Sequence, residues 1–324
     1  MTLEEFLAEW NNESETILVH TSGSTGKPKL MYVEKKRMLN SARITCDFLG
    51  LCAGDTAFLC MSLDYIAGKM LVVCSLERKL NLVSVNPSGH PLKDIVLSFD
   101  KPSLAAMVPL QVYNSLSVPA EAEKLRNFTH LIIGGGAIDD ELSKSLQAFP
   151  NNVWSTYGMT ETLSHIALRR LNGDKASEWY TPFNSVKVSQ NEDGCLVIDA
   201  PLVHDGKLIP NDIVELKNGQ FRILVRKDNG ICSGGIKIQM EEVERTLKPY
   251  MESAFIITKR SDKKFGEIVV LITENNNIAE VESICKCVLP KYWCPHYYLH
   301  VEHVPLTETG KPARAKALSL AKEI

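Results

Sequence analysis

Apolar and polar residues follow two periods along this chain, one typical of helices and one typical of short buried strands. Near the N-terminus, Leu3, Phe6, Leu7 and Trp10 recur at helical spacing, which predicts a short amphipathic helix within residues 1–15. Downstream, apolar runs predict strands at 16–19, 30–33, 56–60, 81–85 and 129–133, and helical patterns occupy 36–49 and 70–77. This alternation of strand and helix predicts βαβ units.

From residue 186 to 225 the pattern changes to short strands, with turn signals at 192–194 and 217–219. The remainder combines helical and strand patterns in a small α+β arrangement. Its predicted helix is 241–247, and its predicted strands are 254–258, 267–273 and 297–303. We therefore predict an α/β protein with a large N-terminal domain of mixed βαβ sheets plus a short β-rich portion. A small α+β C-terminal domain would follow it.

The composition narrows the classes of function. The chain has 324 residues, of which 44% are hydrophobic and 23% charged, as in ordinary soluble globular proteins. Its formal net charge of −3 gives no electrostatic case for binding nucleic acid. The acidic start, Met1 to Glu5, does not fit a signal peptide, and the apolar runs are too short to cross a membrane. Nine scattered cysteines suit free thiols, so we expect a cytoplasmic protein.

One stretch, residues 20–29, has the composition of an anion-binding loop. Residues 22–26 carry either no side chain or a short hydroxyl, so several backbone N–H groups can point at one phosphate. A P-loop is excluded, because only two residues separate Gly23 from Gly26 and because Pro28 follows the lysine. A surface turn between two strands remains the alternative.

The stretch from Thr21 to Lys29 resembles the phosphate-binding signature of the adenylate-forming superfamily, which includes acyl-CoA synthetases, luciferases and the adenylation domains of peptide synthetases. The resemblance implies that the loop holds the β- and γ-phosphates of ATP. The loop residues concerned are Thr21, Ser22, Gly23, Ser24, Thr25, Gly26 and Lys27. It also implies an adenylation domain over 1–227 and a mobile domain over 228–324. In relatives a subdomain precedes this loop, so we expect a short form without it or a chain that lacks a piece.

A second motif, Tyr157-Gly158-Met159-Thr160-Glu161, is similar to the family's Tyr-Gly-x-Thr-Glu. The resemblance implies an aromatic face for the base from Tyr157, a hydroxyl for the α-phosphate from Thr160 and a carboxylate for Mg²⁺ from Glu161. A Thr-Glu pair alone is more often a helix cap. Further nucleotide contacts implied by the family are Gly135, Gly136, Ala137, Thr156 and Gly158.

Two motifs resemble the ribose site and the hinge of the family. Asp212 stands where the family binds the ribose hydroxyls, although the usual Thr-Gly before it is absent, and Arg226 corresponds to the second ribose ligand. Asp228 corresponds to the pivot between the two domains. The resemblance thus implies that the chain alternates between two domain orientations.

The last two motifs resemble the family's CoA-binding loop and its catalytic lysine. Gly234 and Gly235 correspond to the glycine-rich loop beside the pantetheine of CoA. Lys311, at the end of the motif 305–311, corresponds to the catalytic lysine that bridges acyl and phosphate oxygens. A lysine in a Gly-Lys turn is otherwise a solvated charge, so its role depends on the order of the motifs before it.

Within the family, residues 65–69 and 159–167 look most like those of the o-succinylbenzoate–CoA ligases of menaquinone biosynthesis. That acid has an aromatic ring and a second carboxylate. The resemblance implies an acid pocket formed by Tyr65, Lys69, Gly134 and Ser164, with Lys69 as the countercharge of the second carboxylate. A lysine on a helix surface is the alternative.

The implied activity is ATP-dependent conversion of a carboxylic acid to acyl-AMP, followed by thioester formation with CoA, with Mg²⁺ as the metal. The implied partners are the small acid, ATP and CoA, with no nucleic acid and no membrane, and a homodimer stays open. The competing hypotheses are a ligase for another aryl or medium-chain acid, and a nucleotide-binding homologue without catalysis.

Overall fold

The computed structural model describes residues 1–20, 30–136, 138–307 and 310–323. The α-helices are α1 (Leu3–Asn11), α2 (Lys35–Leu49), α3 (Ile66–Arg78), α4 (Pro109–Leu116), α5 (Pro119–Asn127), α6 (Asp140–Gln147), α7 (Met240–Leu247), α8 (Ile278–Val288) and α9 (Arg314–Lys322). The strands of the first half are β1 (Thr16–His20), β2 (Leu30–Glu34), β3 (Thr56–Leu59), β4 (Asn81–Ser84), β5 (Ser103–Met107), β6 (His130–Ile133), β7 (Asn152–Gly158), β8 (His165–Arg170) and β9 (Thr181–Pro182). The later strands are β10 (Lys187–Gln190), β11 (Leu196–Asp199), β12 (Lys207–Leu208), β13 (Asp212–Lys217), β14 (Gln220–Arg226), β15 (Gly230–Ser233), β16 (Ile236–Gln239), β17 (Phe255–Asp262), β18 (Gly266–Thr273) and β19 (Tyr297–His300).

A seven-stranded sheet in the order β4-β3-β5-β6-β7-β8-β9 forms the centre of the first part of the chain. Strands β3 to β7 pair in parallel, and β8 and β9 are antiparallel additions at one edge. Successive residues of β3 face different cores: Ala57 and Leu59 belong to the core with α2 and α3, and Phe58 to the core with α4, α5 and α6. Because the parallel strands end at the same edge, the loops after β5, β6 and β7 converge there.

The β-rich portion that follows contains a three-stranded sheet, β10-β11-β12, and the hairpin β13-β14. The hairpin turns at Asn218 and Gly219, whose φ values are 51° and 77°. Two consecutive positive φ values are what a tight hairpin turn requires, and Asn-Gly supplies them at low cost. The turn predicted at 217–219 is therefore confirmed.

After residue 229 the chain builds its own sheet, in the order β16-β15-β18-β17, with β19 parallel to β18. Strand β18 is buried along six consecutive residues because it faces two cores. One core contains α7 and α8, and the other contains α9. Residues of these two cores all come from 231–321, and those of the earlier cores all come from 6–221.

The predicted α/β class is confirmed, and most predicted elements lie within a few residues of the observed bounds. One difference bears on the site: α3 begins at Ile66, four residues before the predicted start at Met70. Lys69, predicted to contact the acid, thus lies in the first turn of this helix. Across the described ranges, none of the helices has the length and apolar character that a membrane span needs.

Candidate active site

A cavity of about 480 Å³ opens at the carboxyl edge of the seven-stranded sheet. This volume lies in the range of small-molecule binding sites. Its lining comes from the ends of β1, β5, β6 and β7, from α2, α3 and α4, and from the segment around Lys311. Among the predicted site residues that line it are Tyr65, Gly134, Gly135, Thr156, Gly158, Thr160, Ser164 and Lys311. The fold therefore brings together residues that lie far apart in sequence.

Glycines at two positions of this edge are required by close contacts. A Cβ atom at Gly134 would lie 2.5 Å from the hydroxyl oxygen of Thr156, and one at Gly158 would lie 2.3 Å from the carbonyl oxygen of Ser164. The second contact is with backbone at the irregular register where β7 meets β8, so it cannot relax by a change of rotamer. Gly134 thus lets the end of β6 approach the Thr156 hydroxyl, and Gly158 lets the end of β7 approach the Ser164 backbone, beside the cavity.

Lys311 reaches the cavity from a tight turn in the last part of the chain. Gly310, with φ of 77°, donates its N–H to the Thr307 carbonyl at 2.9 Å. The Lys311 N–H donates to the Thr307 hydroxyl at 3.0 Å. A Cβ at Gly310 would be 3.5 Å from Leu110 of α4, so this turn packs against the first part of the chain. Burial, and then the nearby charge of Arg226, lower the pKa of Lys311, so an anion beside the ammonium would relieve an unfavourable environment.

Thr160 and Glu161 lie in a short 3₁₀ turn, Thr160–Thr162. The Thr162 hydroxyl accepts from the Met159 N–H at 3.0 Å and fixes this turn, which leaves the Thr160 side chain at the cavity. The carboxylate of Glu161 has no hydrogen-bonding partner among the described residues. Proteins usually hold Mg²⁺ with one or two carboxylates together with substrate phosphates and waters, so the chemistry of Glu161 suits this ion and its predicted role stays a prediction.

Tyr157, Asp212, Arg226 and Asp228 form one hydrogen-bonded chain. The Tyr157 hydroxyl donates to Asp212 at 2.6 Å, Arg226 Nη1 donates to the other Asp212 oxygen at 3.2 Å, and Arg226 makes a two-bond contact with Asp228 at 3.0 and 2.8 Å. Burial, and then the Asp212 charge, raise the pKa of Tyr157, so the phenol stays a donor. The predicted ribose ligands and the predicted pivot are therefore directly connected.

The Tyr157 ring itself is almost fully buried and packs edge-on against Phe221, with ring centroids 5.0 Å apart. It is Thr156 and Gly158, its neighbours on β7, that line the cavity. The alternation of side chains along a strand explains this arrangement, because Tyr157 points to the face opposite these two residues. Its contact with the base stays a prediction.

Lys69 has a different position from the one predicted, and its predicted role in acid binding is contradicted. The side chain is only 2% exposed, and its ammonium donates to the Leu18 carbonyl at 3.0 Å and lies 3.9 Å from a carboxylate oxygen of Glu9. In the helix, Ile66, Met70 and Cys74 share the face that lines the cavity, and Lys69 lies off that face. Lys69 therefore joins α3 to β1 and α1 and is unavailable to the acid.

Two cavity-lining residues that the sequence interpretation did not select are His165 and Thr45. Nε2 of His165 lies 3.1 Å from the Thr45 hydroxyl, and Nδ1 lies 3.1 Å from the Ser164 hydroxyl. Burial lowers the pKa of His165 to about 4. A histidine next to Ser164 was a visible signal, but Thr45, 120 residues away, was not.

Gly234 and Gly235 form the turn between β15 and β16, with φ of 56° and 85°. They do not line the cavity, and their assignment to CoA stays a prediction. A second contact between the two parts of the chain lies elsewhere: Lys248, just after α7, pairs with Asp139, whose other oxygen caps the N-terminus of α6 at 2.8 Å. Gly136 lies beside Pro109. The predicted ligands Thr21 to Lys27 and Ala137 lie outside the described residues.

A family model described as AMP-binding enzyme matches residues 5–207. Among curated proteins, the chain is 27% identical over 286 residues to the 2-succinylbenzoate–CoA ligase of Salmonella typhimurium, covering 83% of this chain and 60% of that protein. It is 24% identical to the enzyme of the same name from Enterococcus faecalis, covering 99% of this chain and 72% of that protein. The chain thus spans well under the full length of both.

Two solved structures show the same fold. An acyl-CoA synthetase (AMP-forming)/AMP-acid ligase II-like protein from Dyadobacter fermentans is 29% identical, with a TM-score of 0.65 over 98% of this chain and 92% of that chain. The O-succinylbenzoate coenzyme A synthetase of Bacillus subtilis, solved with ATP and magnesium ion, is 21% identical with a TM-score of 0.72, over 92% of this chain and 69% of that one.

Proposed function

The chain belongs to the family of AMP-binding enzymes, and from that premise we propose that it is an ATP-dependent acid–CoA ligase that forms AMP. The observation that carries the proposal is the meeting of Lys311 with Thr156, Thr160 and Gly135 around one cavity. This cavity continues from the sheet edge to an end between α2 and α3, where the apolar side chains of Ile66, Met70 and Leu71 line it together with Thr45 and His165. A cation and hydroxyls at one end and a largely apolar lining at the other suit a phosphate next to an acyl group.

In the first half-reaction, a carboxylate oxygen of the acid attacks the α-phosphorus of ATP, and the bond to pyrophosphate breaks. Negative charge develops between two anions that repel each other, so catalysis depends on preset cations and donors. Lys311 would contact the acyl and phosphate oxygens, and Thr160 would donate to the α-phosphate. Mg²⁺, when held by Glu161, would offset charge on the phosphates.

In the second half-reaction, the CoA thiolate attacks the acyl carbonyl, AMP leaves, and Lys311 is no longer needed. We propose that residues 228–324 rotate about Asp228 between the two steps and bring Gly234 and Gly235 to the thiol. The ion pair between Arg226 and Asp228 would be the interaction that such a rotation rearranges, because it lies at the junction between β14 and β15.

The acid that we propose is o-succinylbenzoate, supported by the names of the relatives. An aryl or medium-chain monocarboxylic acid is the alternative, and one observation favours it: within the described residues, Lys311 is the only lysine or arginine of the cavity lining.

The test is pyrophosphate exchange into ATP, driven separately by o-succinylbenzoate, benzoate, coumarate and octanoate. Exchange that depends on an added acid is the expected result, and the preferred acid identifies the substrate class. Binding of ATP without exchange under any acid would favour the nucleotide-binding homologue and contradict the ligase.

A further inference from the structure

The acid end of the cavity contains an imidazole held between two hydroxyl groups. His165 lies 3.1 Å from Thr45 on one side of the ring and 3.1 Å from Ser164 on the other. All three residues line the cavity, and the ring also packs against Phe183, with centroids 5.6 Å apart. The ring is therefore fixed in orientation next to the space that an acid would fill.

If the acid carries a second carboxylate, this end of the cavity must supply a cation or hydrogen-bond donors for it, because an unpaired buried carboxylate is strongly disfavoured. Lys69 is committed to Leu18 and Glu9. Arg169 and Arg170, which follow on β8, lie over the rings of Tyr180 and Trp154. Lys311 enters with the turn that packs on α4, whereas His165 contacts α2, so the two serve different ends of the cavity.

We propose that His165, Thr45 and Ser164 bind the distal carboxylate of the acid, and that the imidazole takes up a proton when this carboxylate binds. The inference rests on the proposed ligase function and deepens it by assigning the recognition of the substrate. A neutral imidazole donates one hydrogen bond and accepts another, so one hydroxyl must donate to the ring. An imidazolium donates from both nitrogens, which frees both hydroxyl hydrogens to point at the carboxylate.

The surroundings of His165 are consistent with a ring that is neutral until an anion arrives. Burial is the cause that lowers its pKa to about 4. The other titratable side chains of the described lining are His20, Cys60, Tyr65, Cys74 and Lys311. Burial keeps Cys60 a neutral thiol by raising its pKa to about 12, and the pKa of Cys74 is raised as well. On α2, Cys46 lies against the Cys74 carbonyl and Asp47 pairs with Arg78, and residues 181–186 around Phe183 carry no titratable group.

Proton uptake makes the affinity for a dicarboxylic acid depend on pH. Between the pKa of the empty pocket and the higher pKa of the complex, each unit of decrease in pH strengthens binding by up to about tenfold. Between about pH 6 and pH 8 the second carboxylate of the acid stays ionised. An acid without that carboxylate should bind with no such dependence.

The experiment compares o-succinylbenzoate with 3-benzoylpropanoate, which keeps the ring and the succinyl carboxylate and lacks the carboxylate on the ring. Pyrophosphate exchange is measured from about pH 6 to pH 8 with the wild type, His165→Gln and Thr45→Val. For the wild type, KM for o-succinylbenzoate should fall with decreasing pH, and KM for 3-benzoylpropanoate should stay constant. Near pH 6, His165→Gln should raise KM for o-succinylbenzoate by about ten- to a hundredfold and remove its pH dependence, with KM for 3-benzoylpropanoate and ATP within about twofold of wild type.

Calorimetry of o-succinylbenzoate binding in two buffers of different ionisation enthalpy measures the number of protons taken up on binding. We expect the wild type to take up close to one proton and His165→Gln to take up none. Thr45→Val keeps the side-chain shape and should weaken only the dicarboxylic acid, which separates recognition from a folding defect. The inference is overturned if His165→Gln affects both acids equally or if the pH dependence persists without the imidazole. If no acid supports exchange with the wild type, the proposed ligase function fails along with it.

Discussion

Replacing Lys311 with alanine should slow formation of the acyl adenylate far more than transfer of the acyl group to CoA. The Lys311 side chain lines the cavity, and the Thr307 hydroxyl and the Gly310 turn hold its backbone in place. Burial and the Arg226 charge lower the pKa of this ammonium. The fold thus places a cation in a poorly solvated position before any phosphate arrives, which is the arrangement that makes a single charge effective.

The size of the effect follows from this position. Removing one preset donor from an enclosed site costs about 2.7–4 kcal/mol, or about a hundred- to a thousandfold in rate. Lys311 is partly exposed, so water can replace some of the lost stabilisation, and the lower end of this range applies. We therefore expect about a hundredfold loss of acid-dependent pyrophosphate exchange.

The assay measures the two half-reactions separately. Exchange reports adenylation, and thioester formation from a supplied acyl adenylate and CoA reports transfer. Lys316→Ala is the matched control, because Lys316 is an exposed lysine of α9 in the same part of the chain. The control should keep both activities, and Lys311→Ala should keep transfer within about threefold of wild type. Equal losses in both assays, or no loss of exchange, would refute the role given to Lys311.

Three further predictions concern contacts around the site. Lys248→Ala and Asp139→Asn each break the ion pair between the two parts of the chain. Because both side chains are about half exposed, the rate of pyrophosphate exchange should fall only about two- to fivefold. Additive losses in a double-mutant cycle would show that the pair does not act as a unit. Tyr157→Phe removes the donor to Asp212, so the free energy of unfolding in urea should fall by about 1–3 kcal/mol, and an unchanged value would contradict a buried bond. The pKa of His165 is about 4 in the folded protein, against an ordinary value of 6.5 that applies to the unfolded chain. As pH falls, the unfolded chain therefore takes up this proton before the folded protein does. The free energy of unfolding should be unaffected by His165 above about pH 6.5 and should fall by on the order of 3 kcal/mol between pH 6.5 and pH 4. Urea titrations of wild type and His165→Gln over this range should diverge, and parallel curves would exclude this linkage.

Local sequence was sufficient to predict the features that depend on neighbouring residues. The Asn218-Gly219 turn follows from backbone sterics, because few other residue pairs accept positive φ at both positions. The helical repeat from residue 36 to 49 predicted α2 to within one residue, because the apolar face and the terminal Gly50 in the left-handed conformation are both encoded locally. The order of the motifs likewise predicted that the segments of Gly134, Thr160 and Lys311 could meet, and these residues line one cavity.

Only the tertiary structure decided what the side chains of those segments contact. Lys69 was predicted to face the acid, but a helix that starts at Ile66 turns it toward Leu18, 51 residues earlier in the chain. The bond between Tyr157 and Asp212 spans 55 residues, and the one between His165 and Thr45 spans 120. Such pairings depend on how strands and helices pack and on where each helix begins, and a one-residue change in phase turns a side chain to another face. Periodicity along the chain therefore determined the elements, and packing across the chain determined that His165, rather than Lys69, lines the cavity.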